Sequence, residues 1–423
     1  MMRSLRSRAA WLLLASACSV LSAGRARASY EEFSTLNVGR EEEDDENLLD
    51  HVLVEPPQDW FEEWERATRA FRTSQGCFTS SQWYLDHELK VQVPMGDTTY
   101  LNLVIRDVSD DESTYGWTQF DLRFPVAHAG LWGLRLRPTF DKSRQDLGFM
   151  WDHGTDTTPL QIQAVMGMED IFNKFWALRQ VRVGEDSEPY LRHPYEPALR
   201  VVWRGGGPRF ETSVKWLTPS RKQFVTIDPA LRRIEDLWGE KSTARLSQHF
   251  GDYVGAVNFE MVQASSFAYW EQQAGDHHQY SRRWRGEGSL TRPVGEHGRL
   301  SLRYFYQERT QVWRPPLANV TLGVIDRMPM VEGSFRAKWN LGMRVGFMRN
   351  RVTVAGNGGV PTFINAIRIL TFGTRVETRA FFSLQKQFGR VRIQGTEGIE
   401  LDHEIYPVTF HHDKGFIQLQ TTF

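Results

Sequence analysis

The sequence is poor in cysteine. Only two of its 423 residues are Cys, Cys18 and Cys77. Cys18 falls in an apolar leader expected to be removed, so no intrachain disulfide holds the fold. After that leader no apolar run reaches the roughly 20 residues that a spanning helix needs. Charge of one sign is missing too: the formal net charge is −1, and a nucleic-acid partner would call for a basic footprint. There is no G-x-S-x-G elbow, no G-x-x-x-x-G-K-[ST] loop and no H-E-x-x-H pair. His277-His278 and His411-His412 are adjacent pairs; neighbours on a strand point to opposite faces and chelate a metal poorly. No outward Ser/His pair suits a lipid-facing hydrolase. The reading is therefore non-enzymatic, with no cofactor and no metal.

The chain opens with Arg3, Arg6 and Arg8, an apolar run from Ala9 to Leu21, and the small residues Ala26-Arg27-Ala28 before Ser29. That order predicts a secretory signal, residues 1–28, cut after Ala28 or Ala23. Ala15-Ser16-Ala17-Cys18 lacks the large aliphatic residue of a lipoprotein box. Residues 29–81 read as an acidic linker and a helix. Glu41 to Glu46 is a solvated acidic run. Asp59 is an N-cap for an amphipathic helix with Trp60, Phe61, Trp64, Ala67 and Phe71 on one face. That face is expected to pack on the rest of the molecule, plug it, or dock a periplasmic partner.

From Gln82 the period becomes two. Trp83, Leu85, Leu89, Val91 and Val93 oppose Gln82, Asp86, Glu88, Lys90 and Gln92. The same grammar returns in Phe120-Leu122-Phe124 against Asp121 and Arg123, in Phe210-Thr212-Val214-Trp216 against Glu211 and Lys215, and in an alternation from Phe335 to Phe347. Tight turns are expected at Pro94–Asp97, Ala127–Gly130, Gly205–Pro208 and Lys386–Gly389. Longer loops are expected over Asp141–Thr157, Pro219–Ser242, Ser265–Tyr280 and Thr310–Met330. The second loop carries a helical pattern at Leu231, Ile234, Leu237 and Trp238. Asp170–Val183 fits either a strand or a short helix. Residues 82–423 then hold about 16 to 18 strands at roughly 20 residues each, loops included. The fold class is all-β: a transmembrane antiparallel up-and-down barrel with a short N-terminal periplasmic helix.

The polar parity is rich in arginine. Arg106, Arg123, Arg135, Arg137, Arg200, Arg204, Arg299, Arg303, Arg336, Arg344, Arg368, Arg379, Arg390 and Arg392 fall on it. The acids on the same parity, led by Asp86, Glu88, Asp121, Glu211, Glu260 and Glu377, are fewer. Facing lipid, each Arg would cost about 2–4 kcal/mol at the midplane, so this parity faces the lumen. Two readings follow. Arg–carboxylate pairs fill and stiffen the barrel, or a basic channel favours anions. The excess of Arg over acid favours the channel.

The chain ends on Gly415 to Phe423, with Ile417, Leu419, Thr421 and Phe423 on one parity and Gln418, Gln420 and Thr422 on the other. This strand resembles the last strand of bacterial outer-membrane β-barrels. The resemblance implies that the barrel-assembly machinery reads Phe423, and it implies the outer membrane as location. Within that class the Arg-rich parity and the acidic, helical N-terminal segment resemble polysaccharide-export barrels such as the alginate exporter. That implies a polysaccharide cargo and a periplasmic export protein as partner. The resemblance is architectural, so no family site residue is carried over. The competing readings are a general or anion-selective porin for small solutes, a fatty-acid-type uptake barrel, and a structural barrel that anchors a partner.

Overall fold

The computed structural model describes residues 70–78, 83–95, 99–110, 114–126, 130–136, 145–154, 158–169, 190–225, 232–271, 276–313, 320–357, 373–401 and 411–422. They form β1 (Ala70–Phe78), β2 (Trp83–Pro94), β3 (Tyr100–Asp110), β4 (Thr114–Val126), β5 (Gly130–Leu136), β6 (Gln145–His153), β7 (Leu160–Glu169), β8 (Tyr190–Arg192), β9 (Tyr195–Arg204) and β10 (Arg209–Phe224). The order continues through β11 (Arg233–Phe250), β12 (Tyr253–Trp270), β13 (Asp276–Val294), β14 (Gly298–Trp313), β15 (Val320–Ala337), β16 (Leu341–Asn357), β17 (Gly373–Phe388), β18 (Val391–Glu400) and β19 (His411–Thr422).

Consecutive strands pair antiparallel, and β1 pairs with β19, from Phe71↔Thr422 to Phe78↔Gly415, which closes the sheet. The 19 strand segments make 18 staves, because β8 and β9 both lie against β10 and are halves of one stave broken at His193-Pro194. Proline has no N–H to give the ladder, so the break falls where a ladder bond is already lost. Closure leaves no backbone edge to be satisfied, the condition for a sheet in lipid.

The two faces have opposite chemistry. Outward stand Phe149 and Val257 at 59% exposure, with Val345, Leu302, Trp216, Phe347 and Leu384 also exposed. Inward and buried stand Gln119, Asp121, Arg135, Gln163, Arg200 and Glu332. An apolar exterior around a polar, charged interior inverts a soluble domain; this is a transmembrane barrel wall.

The ends differ as well. At the end that holds the first residue of β1 and the last of β19, the connections are tight: 205–208, 251–252, 295–297, 338–340 and 389–390. At the other end the chain between strands runs over 170–189, 358–372 and 402–410.

The structure corrects several expectations. Phe71 belongs to β1, whose Ala70–Phe78 ladder with β2 begins the barrel, so the barrel starts at Ala70 and not at Gln82. Phe71 fits a helical or an alternating period equally well, and pairing on both sides decides it. Trp60, Phe61 and Trp64 lie outside the described residues, as do Asp170–Val183, Arg137, Arg368 and Phe423.

Three of the four expected loops are largely strand: Pro219–Ser242 lies mostly on β10 and β11, Ser265–Tyr280 on β12 and β13, and Thr310–Met330 on β14 and β15. The fourth, Asp141–Thr157, contains β6. Ile234, Leu237 and Trp238 are therefore strand residues, with Ile234 and Trp238 on the outward parity and Leu237 inward. A bulge between Leu217 and Ser220 flips the parity of β10 and obscures its alternation.

The Phe335–Phe347 alternation is not one strand. It crosses a 3-10 turn at Lys338–Asn340, with Trp339 at φ 64°, and Ala337 faces Leu341. A three-residue connection preserves parity, so the turn is silent in the sequence.

Strand length divides the wall. β10 to β17 run 16 to 19 residues, whereas the longest other strand, β4, has 13. Crossing the bilayer takes about 9–11 tilted residues. The β10–β17 wall therefore extends well past the lipid at the end with the longer connections.

Candidate functional site

The candidate site is the inner wall. Alternation places one residue in two on it, and the register decides which side chains meet. Asp121 on β4 lies opposite Arg135 on β5. Arg135 donates from Nε to Oδ1 at 2.9 Å and from Nη2 to Oδ2 at 3.0 Å, and Gln119 donates to Oδ2 at 3.0 Å. Arg123 pairs with Asp152 on β6. Further round, Arg200 donates to Glu211 Oε1 at 2.6 Å from Nη2 and to Gln163 Oε1 at 2.8 Å from Nη1.

The carboxylates are shared. Glu211 also accepts from Arg209 at 3.2 Å. Glu260 accepts from Arg283 Nη2 at 2.9 Å, with Lys241 Nζ at 3.6 Å and Arg285 Nη1 at 3.9 Å. Glu332 takes a two-pronged bond from Arg344 and has Arg303 Nη1 at 3.6 Å. Glu377 stands between Arg375 at 2.8 Å and Arg379 at 3.6 Å. Glu211, Glu260 and Glu377 each meet two or three cations, so cations outnumber acid at these three, whereas Glu332 shares Arg303 with Glu287, two acids for two arginines.

The arginines also lie along the wall and not across the lumen. Arg303 covers the Phe305 ring at 4.7 Å, and Arg344 covers Phe381 at the same distance. Stacked guanidinium groups keep their rims free for acceptors while shielding the rings. Phe305 and Phe381 are 0% and 2% exposed in consequence.

Of the arginines assigned to the lumen by parity, Arg123, Arg135, Arg200, Arg344, Arg379 and Arg392 are buried on the inner wall. Arg204 bonds Gln161 at 3.0 Å, and Arg303 bonds Glu287 at 2.8 Å. Arg299 is half-buried; Arg336 and Arg390 are exposed beside the tight turns. Arg106 holds an inner-parity position on β3, opposite Glu88.

Sequence reading missed Arg283, Arg285, Asp152, Glu287, Asp326 and Glu332. Most of these sit on stretches read as loops or left without a parity. It also missed the inward apolar residues. Leu322, Val324, Val352 and Val354 form a buried cluster on β15 and β16, and Met328 and Met348 are at most 1% exposed. Among the described residues no group of His, Cys, Asp and Glu is placed to hold a metal.

No protein-family model matches the sequence, and no curated protein sequence does. Several solved structures are similar in shape. A loop L8 deletion mutant of OmpT, an outer membrane protein of Vibrio cholerae, aligns at TM-score 0.39 and 10% identity over 84% of this chain and 97% of that one. A bacterial polysaccharide outer membrane secretin aligns at TM-score 0.39 and 9% identity over 84% and 99%. OccK5 (OpdH) of Pseudomonas aeruginosa aligns at TM-score 0.40 and 10% identity over 84% and 97%. At this level of likeness, the barrel assignment rests on the strand ladder and the two faces described above.

Proposed function

We propose that this protein is an outer-membrane channel with an anion-favouring lumen, and that its cargo is an anionic polysaccharide moved outward with periplasmic partners. The observation that carries the channel reading is the crowding of two or three cations around each of Glu211, Glu260 and Glu377 on a closed wall. Such a surface attracts anions along its length while holding none at a single strong site, which is what a sliding polymer requires. Export, as against uptake of small anions, is supported only by the acidic, helical N-terminal segment expected ahead of β1. The terminal Phe423 is proposed as the feature read by the barrel-assembly machinery.

The test is electrical. In planar bilayers under a salt gradient the reversal potential is expected on the anion side. A cation-selective or non-conducting barrel would reject the proposal. Loss of polymer secretion on deleting the gene, with small-anion uptake unchanged, would separate export from a porin role.

A further inference from the structure

The outer wall of β14 to β17 carries little charge, and what it carries is concentrated. Arg349 and Arg351 stand two residues apart on the outward parity of β16. Arg351 is the direct cross-strand partner of Arg327 on β15. All three are exposed. Like charges facing each other across a ladder repel. Among the described residues none of the three side chains has a hydrogen-bond or ion-pair partner. The nearest acid on this face, Glu308 on β14, already accepts from the Tyr306 hydroxyl at 3.0 Å.

The position of the three matters as much as their charge. Toward the tight turns the same face is apolar: Val331, Phe335, Val345 and Phe347 are 46% to 53% exposed. From Leu341 to Arg349 the strand climbs about 26 Å, or roughly 20 Å along the membrane normal at a tilt near 40°. The apolar band of such a barrel is about 25 Å tall. The three arginines therefore sit at its far border, where acyl chains end and headgroups begin. Beyond them β16 continues through Thr353 to Asn357.

We propose that Arg327, Arg349 and Arg351 form a binding site for the phosphate groups of an anionic glycolipid in the outer leaflet. The guanidinium fork matches two phosphate oxygens. Three forks on adjacent outward positions of two paired strands let one headgroup bridge them and relieve their repulsion. The lipid is favoured over free phosphate because its acyl chains lie against Val345 and Phe347, directly below the arginines. This site rests on the outer-membrane reading and goes beyond it.

The test uses the full chain, expressed in a bacterial outer membrane and extracted in mild detergent. Native mass spectrometry counts the diphosphorylated lipid A that stays bound. The triple variant R327Q/R349Q/R351Q is expected to lose about tenfold in retained lipid. R292Q, an outward Arg at the opposite border, which stacks on Tyr253 at 5.4 Å, is expected to keep it. Added diphosphorylated lipid A should bind, its dephosphorylated form should not, and millimolar inorganic phosphate should leave it bound. Equal retention in the triple variant, equal loss in R292Q, or displacement by inorganic phosphate would overturn the proposal. If the triple variant does not assemble, R349Q and R351Q alone make the same comparison, each with about a threefold loss. A chain that fractionates away from the outer membrane refutes the location itself. One that fractionates with it and shows unchanged retention refutes only the lipid site.

Discussion

Arg344 grips Glu332 with two parallel bonds, Nε to Oε1 at 2.6 Å and Nη2 to Oε2 at 2.7 Å, across the β15–β16 ladder. Both side chains are nearly covered, at 4% and 6% exposure. Removing the carboxylate leaves Arg344 buried without its bidentate acceptor and takes a second acceptor from Arg303. Breaking a buried pair on one side costs about 3–5 kcal/mol. Glu332→Ala is therefore expected to lower the denaturant midpoint of the folded barrel, read from the heat-modifiable band. Replacing both partners with apolar residues, Glu332→Leu with Arg344→Met, should recover most of the loss. Equal damage from the single and double changes would show that the pair does not act as a unit.

Selectivity should separate Arg336 from Arg344, although parity places both in the lumen. Arg336 is exposed beside the turn at Lys338–Asn340. Arg336→Glu is expected to assemble normally and to move the reversal potential toward cations. Arg344→Glu sets a second carboxylate against Glu332 and should fail at assembly before selectivity can be read. A conducting Arg344→Glu barrel of normal stability would contradict the buried-pair geometry.

Gly346 faces Phe381 across β16 and β17. A Cβ at Gly346 would run into the Phe381 ring. The ring lies over the bare backbone and is held there by Arg344. Gly346→Ala is expected to destabilise the barrel by about 1–3 kcal/mol, the usual cost of overpacking. Phe381→Leu should make the alanine tolerable, so the two changes will not add. Strict additivity would mean that the ring does not occupy that space.

Much of the barrel was legible because lipid imposes a rule on every second residue. Where β16 crosses the apolar band, Val345 and Phe347 alternate with Arg344 and Gly346, and parity assigned Val345, Phe347 and Arg344. Above the band the rule lapses. Water wets the outer face there, so Arg349, Arg351 and Thr353 point outward while Val352 and Val354 point inward. A reading tuned to apolar-out alternation therefore took the upper parts of β10 to β15 for loops. The inner acid Asp326 was missed along with those strands, and Glu287 and Glu332 on stretches given no parity, which inflated the apparent excess of arginine over acid. Pairing is a property of register, and register joins residues such as Arg135 and Asp121 that no local pattern connects. The bulge at Leu217 and Ser220 and the silent turn at Trp339 show the same limit: parity survives some irregularities and flips at others.

The last prediction concerns where the N-terminal segment stops and the barrel starts. Ala70 to Phe78 pair with β2 on one side, and Phe71 to Phe78 pair with β19 on the other. β1 is thus the stave that joins the first and last parts of the chain. Without it, the unpaired edges of β2 and β19 would face lipid, where each unsatisfied backbone group costs several kcal/mol. Deleting residues 29–68 spares this ladder and is expected to leave assembly intact. Deleting residues 29–78 removes it and should abolish the heat-modifiable form. With the shorter deletion, conductance becomes informative about the expected helix of Trp60, Phe61 and Trp64. A rise in single-channel conductance would identify the segment as a plug. Unchanged conductance with lost secretion of polymer would identify it as a docking element for a periplasmic partner. Both unchanged would make the segment dispensable and remove the main support for export over a simple anion porin.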